Sequence, residues 1–123
     1  MSKVYIVQNR YTRDEITGLM RPRFNTLPVK EFGVPVEILD WRLSPLASAP
    51  ALGALRHALR NYSDEDYILP VGTPAFLVAA GAIAAQHNNG RVHVLHWDAV
   101  LKKYFPFTID VTHRQHKESQ NAI

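Results

Sequence analysis

Tyr67-Ile68-Leu69-Pro70-Val71-Gly72-Thr73-Pro74-Ala75, running on through alanine-rich sequence to Gln86-His87 and closed by Asn88-Asn89-Gly90, is the stretch on which the fold turns. Tyr67 to Val71 is a nearly continuous apolar run, the pattern of a strand buried on both faces. Pro70 has no N–H for a ladder hydrogen bond and argues mildly against a central position. Thr73 is a good N-cap, and Pro74 sits where a first-turn proline is favoured. Ala75 to His87 is apolar nearly all round, which predicts a buried helix. Asn88-Asn89-Gly90 tolerates the left-handed backbone that ends helices.

Working outward, Arg91 to Trp97 and Tyr104 to Val111 read as two further strands, with Val100 to Lys103 as a hairpin connection. Upstream, Leu52, Leu55, Leu59 and Tyr62 recur at spacings of three and four, predicting an amphipathic helix over Ala51 to Tyr62 with Arg56 and Arg60 in solvent. Val36 to Leu39 reads as a strand ending at Asp40-Trp41, and Lys3 to Gln8 as the first strand. Asn9 to Leu27 shows no clean period, carries Gly18 and Pro22, and reads as a long loop. The resulting order implies an α/β fold: a small Rossmann-like layout with a mostly parallel sheet, two main helices and a C-terminal antiparallel edge hairpin.

The chain has 123 residues, 46% hydrophobic and 20% charged, which fits one domain over residues 1–111 with a polar, disordered tail over 112–123. It has no cysteine. That excludes disulfides, thiolate metal sites and cysteine nucleophiles, and it suits a reducing compartment. The apolar run at Val4 to Val7 is too short for a signal-peptide core, and the longest apolar stretch falls short of the ~20 residues that span a bilayer. The expectation is a cytoplasmic protein with no membrane contact. Net charge is +3. Arg10, Arg13, Arg21 and Arg23 cluster near the front, a pattern that marks either a nucleic-acid or partner contact or a solvated surface.

In open α/β sheets, ligands bind beyond the carboxyl ends of parallel strands. Three predicted strand ends carry polar groups there: Asp40 with Trp41, Gly72 with Thr73, and Asp98 after Trp97. If these strands run parallel, the helix starting at Pro74 aims its free N–H groups at the same edge, which suits an anion. The same residues are equally explained as helix punctuation, strand-ending turns and core tryptophans. The Gly-Thr-Pro turn has one glycine and no following Lys-Ser/Thr, so it is not a phosphate loop. His93 and His96 lie three apart on a strand and cannot share an ion. His113 and His116 chelate only if the tail forms a helical turn. No metal and no cofactor is implied. Ser63-Asp64-Glu65-Asp66 reads as a solvated turn at the opposite edge. No nucleophile elbow or zinc-protease helix occurs, so no motif supports an enzyme.

Asp66 to Ala75, the alanine-rich helix, Asn89 to Asp98, Lys103 to Phe107 and Ile109-Asp110 together resemble a set of small proteins encoded by tailed bacteriophages, for which no activity is established. Those proteins show an Asp-Tyr-hydrophobic-Gly-Asp-Pro turn and a Leu-Lys-Trp-Asp strand end; here Thr73 stands in place of the turn's acid and His96 in place of the basic residue. The resemblance implies a phage origin and no activity. For a small phage chain without a catalytic signature the expectation is an accessory protein acting by protein–protein interaction or self-assembly, on a host or phage protein or as a homo-oligomer in the host cytoplasm. The loop from Arg10 to Leu27 would supply contacts, with Tyr11, Leu19, Met20 and Phe24 as anchors or simply as core cover. Two other readings stand beside it: a nucleotide or phosphate-ligand binder at Asp40, Thr73 and Asp98, and a nucleic-acid binder using the front arginines.

Overall fold

The computed structural model describes residues 1–112; the expected disordered tail and the His113/His116 pair lie outside the described residues, save Thr112. Seven strands and two helices follow in order. They are β1 (Lys3–Ile6), β2 (Tyr11–Arg13), β3 (Met20–Pro22), β4 (Val34–Glu37), α1 (Ser48–Ala58), β5 (Tyr67–Leu69), α2 (Pro74–His87), β6 (Arg91–Asp98) and β7 (Lys103–Asp110). Five of the strands form one sheet in the order β4-β1-β5-β6-β7. β1 pairs parallel with β4 and β5, and β5 with β6; β7 returns antiparallel beside β6. The mostly parallel α/β sheet with its C-terminal hairpin is therefore what the residue pattern predicted.

Strand alternation sends side chains to two cores. Tyr5, Val7, Ile68 and Val92 meet Leu55 and Leu59 of the α1 region and Phe76, Ala80, Ile83 and Ala84 of α2 on one face. Val4, Ile6, Leu69, Leu95 and Tyr104 meet Val29, Phe24 and Phe32 on the other. Both helices thus cover one face, and the second is covered by the segment between β1 and β4.

That segment is not the featureless loop expected over Asn9 to Leu27. It contains the β2–β3 hairpin, in register Tyr11↔Pro22 to Arg13↔Met20, and then a 3-10 turn over Leu27–Glu31. Three-residue strands with no buried face leave no alternation to read. The second sheet strand begins two residues earlier and ends at Glu37, not Leu39. Leu39 is nonetheless buried, and its N–H still bonds to the Val7 carbonyl. α1 runs Ser48–Ala58, not Ala51 to Tyr62; Leu59 and Tyr62 keep the helical spacing because they are core residues just beyond its end. β5 lies at the centre of the sheet but stops at Leu69, so the missing donor of Pro70 falls outside the ladder.

The helix expected to be buried all round is not. Phe76, Ala80, Ile83 and Ala84 are buried, whereas Val78 is 73% exposed and Ala75, Ala82 and Gln86 also face outward. A uniformly apolar sequence carries no moment to show which side faces solvent.

Candidate functional site

Strands β1, β4, β5 and β6 run the same way, so their carboxyl ends share one edge. The chain leaves β1 toward β4 on one side and later returns across β1 to β5. The gap between the ends of β1 and β5 is thus where the winding direction reverses, the place at which open α/β sheets take ligands.

β1 continues past Ile6 through Val7, Gln8 and Asn9, all wholly buried. Gln8 donates its N–H to the Val71 carbonyl at 2.9 Å, extending contact with the β5 side. Its side-chain amide donates to the carbonyls of Asp40 and Leu43, leaving Oε1 buried without a partner. Asn9 pins the returning loop: Nδ2 donates to the Phe24 carbonyl, and Oδ1 accepts from the N–H groups of Arg10 and Phe24. Arg10 and Arg23 are also joined backbone to backbone. Gly72, at φ +138°, closes the far side, where a Cβ would lie 3.1 Å from Gln8 Cβ. Only glycine allows that approach without strain.

These residues enclose a cleft of about 280 Å³ lined by Asn9, Arg10, Arg23, Phe24, Val71 and Gly72. Phe24 and Val71 also line a neighbouring recess with His96, Trp97 and Tyr104. Trp97 is 45% exposed and meets Tyr104 edge-on at 4.9 Å, so it is not the core tryptophan of the simpler sequence reading.

The predicted ligand set comes only partly together. Gly72 lines the cleft, and Thr73 adjoins it at the head of α2. Thr73 occupies the N-cap position, but its hydroxyl makes no cap bond and instead accepts from Arg10 Nη2 at 3.4 Å. Asp40 is taken up by Arg42, which donates from its backbone N–H and through both Nε and Nη2. Those bonds hold the Asp40 carboxyl down at about 2. Trp41 packs against the Tyr11 ring. Asp98 Oδ1 accepts the N–H groups of Val100 and Leu101, shaping the β6–β7 turn. Both carboxylates lie outside the linings of the arginine cleft and the Trp97 recess.

The four front arginines divide in the same way. Arg21 pairs with Asp14 at 2.8 Å, and Arg13 donates to the Gly18 carbonyl within the hairpin. Arg10 and Arg23 form no ion pair among the described residues. Phe24 is core cover, packed on Tyr104, and Tyr11 donates to Glu37, which raises its hydroxyl to about 12. Leu19 and Met20 are exposed on the hairpin.

A second feature escaped the sequence reading. Between α2 and the β6–β7 hairpin lies an apolar groove of about 780 Å³, lined among others by Leu77, Val78, Ala82, Val94, Ile109 and Val111. Phe107, Ile109 and Val111 are 61%, 39% and 66% exposed. No charged residue occurs from Thr73 to Gln86.

The amino edge of the sheet is occupied by the Ser63–Asp66 turn, where the expectation of a wholly solvated turn fails at Asp66. This carboxylate is 4% exposed and accepts from Lys3 N, Ser63 N and Ser63 Oγ. Asp64 contacts Asn88, Arg91 and His93, and the other His93 nitrogen lies 2.9 Å from Thr108 Oγ1. His96 is exposed on the strand's other face.

Among the described residues no helix is long and apolar enough to cross a membrane. A family model described as phage Pam3 gp32-like protein matches residues 2–111. No curated protein and no solved structure matches the chain.

Proposed function

The chain belongs to the phage Pam3 gp32-like protein family, and from that premise we propose that it acts in the host cytoplasm as an accessory protein that self-associates through the apolar face of α2 and β7. The observation that carries this reading is the outward side of α2. A surface helix normally presents charged or polar residues to water. This one presents Ala75, Val78 and Ala82, with polar residues only at its end in Gln86 and His87, and Ile109 and Val111 line the groove beside it. Contiguous apolar patches of this kind mark interaction surfaces.

The fourteen-residue helix is about 21 Å long and the eight-residue strand about 26 Å, so the face is an extended strip. The face has both a ridge, at Val78, and a groove beside it, so it can complement itself about a two-fold axis. Pro106 lies within the edge strand β7, and proline discourages edge-to-edge strand addition. Packing is therefore face to face.

Sedimentation velocity tests the proposal. A dimer is expected at micromolar concentration, converted to monomer by Val78→Asp with its circular dichroism spectrum unchanged. A wild-type chain that stays monomeric up to its solubility limit overturns it, and capture of a different phage or host protein at this face would replace the second copy.

A further inference from the structure

We propose a second site, independent of the apolar face: the cleft between the ends of β1 and β5, with the Trp97 recess beside it, binds a small phosphomonoester bearing a planar ring, a nucleoside monophosphate in chemical class. The phosphate would sit between Arg10 and Arg23, and the ring would lie against Trp97.

Three observations converge on this assignment. First, Arg10 and Arg23 flank one cleft and neither meets a carboxylate among the described residues, while Arg21, Arg42 and Arg91 each pair with an aspartate. The cleft lining contains no acidic residue. Guanidinium groups are forked donors matched to phosphate oxygens. The backbone that carries them is held, since the buried Asn9 bonds to the main chain of Arg10 and Phe24 through three hydrogen bonds, and the Arg10 guanidinium reaches Thr73 Oγ1.

Second, the arginine cleft adjoins an exposed aromatic surface. Phe24 and Val71 line both it and the recess holding Trp97, and Trp97 stands beside Tyr104, Phe24 and Pro28 in a further hollow of about 350 Å³. Exposed tryptophan beside paired cations offers stacking and charge together, the two contacts a nucleotide needs. The arginine cleft itself, at about 280 Å³, is small for a dinucleotide.

Third, the backbone at this edge is open to an anion. Gly72 lines the cleft as bare backbone because a Cβ there would run into Gln8, α2 has no acid in its first turn, and Thr73 Oγ1 is turned toward Arg10 without capping the helix. The helix dipole adds to the arginines. Gln8, whose Cβ lies behind Gly72, holds its side-chain amide on the Asp40 and Leu43 carbonyls, outside the cleft lining.

The site differs from the one expected at Asp40 and Asp98. Those carboxylates are spent on Arg42 and on the hairpin turn, and the recognition passes to cations.

The test uses the full chain with a panel of four nucleoside monophosphates, the free nucleosides, inorganic phosphate and a single-stranded oligonucleotide. Monophosphates should raise the melting temperature and quench tryptophan fluorescence in a Trp41→Phe background. Arg10→Gln with Arg23→Gln should weaken binding at least tenfold with an unchanged melting temperature of the free protein. Trp97→Ala should remove the advantage of the monophosphates over inorganic phosphate while leaving phosphate binding in place. Binding of monophosphate undiminished in the double arginine variant, or no shift with any monophosphate at millimolar concentration, overturns the site. So does an oligonucleotide bound more tightly than every monophosphate, with steep salt dependence. None of these outcomes depends on whether Val78→Asp dissolves a dimer.

Discussion

The two ends of the sheet are built from similar residues and treated in opposite ways. At the amino end, Asp66 gathers three donors, Tyr62 Oη donates to the Asp66 carbonyl and accepts the His93 N–H, and Asp64 contacts Asn88, Arg91 and His93. At the carboxyl end, among the described residues, Arg10 and Arg23 form no ion pair and Gln8 Oε1 has no hydrogen-bond partner, and Trp97 stands exposed. Buried polar groups with complete partners rigidify a fold. Groups left open at the edge where strands point their carboxyl ends are where an outside molecule has something to gain. The contrast lies in the arginines. At the amino end Arg91 faces Asp64, although among the described residues its buried Nε has no hydrogen-bond partner. At the carboxyl end Asp40 and Asp98 are committed, and Arg10 and Arg23 line a cleft without an ion pair among the described residues.

If the contrast holds, changes at the amino end should cost stability and changes at the carboxyl end should not. The largest effect is expected from Asp66→Ala, which removes a buried carboxylate and orphans the part-buried donors of Lys3 and Ser63. A loss of about 3 kcal/mol in urea unfolding is the expectation. A loss below ~1 kcal/mol would mean the amino end is no more structural than its counterpart.

Gly72→Ala is the exception at the carboxyl end, because it tests backbone and not charge. At φ +138° with Gln8 behind it, the added methyl should cost about 2 kcal/mol. Tyr62→Phe removes one hydroxyl from two backbone partners and should cost about 1 kcal/mol. Removing both Arg10 and Arg23 side-chain charges by glutamine substitution should change stability by less than ~0.5 kcal/mol, since exposed side chains outside ion pairs contribute little.

The smallest effect is a pH dependence. Hydrogen bonds from Asn88 and then His93 lower the Asp64 pKa below its ordinary value. A carboxyl depressed in the folded state binds its proton more readily when unfolded. Its contribution is therefore present above the unfolded pKa near 4 and is lost as pH falls through the folded value. Asp64→Asn should flatten the acid limb of the stability curve slightly, and an unaltered limb would show that exposure has screened the cluster.

The strand, turn and helix from Tyr67 to Gly90 were legible as elements because turn and helix-end preferences agree with their places, although Thr73 makes no cap bond and the helix is not buried all round. Pro74 begins the helix, and Asn89 and Gly90 take positive φ at its end. The hairpin at Tyr11–Pro22 was not legible, since its strands bury nothing and leave no period. The site was half legible. Position along the chain put Asp40, Thr73 and Asp98 at one edge, but only their neighbours reveal that two carboxylates are committed. Asn9 gave no signal at all: its partner Phe24 lies fifteen residues away.

By itself the amino-acid order determined the fold class and which strand ends carry polar groups, because periodicity and turn chemistry act over a few residues. That these ends share one edge came from the parallel pairing of the strands. Which arginines stay unpaired, which side of α2 meets water and where Trp97 stands were decided only by tertiary packing. Those outcomes depend on segments brought together from distant parts of the chain, and local propensity carries no information about the partner each will find.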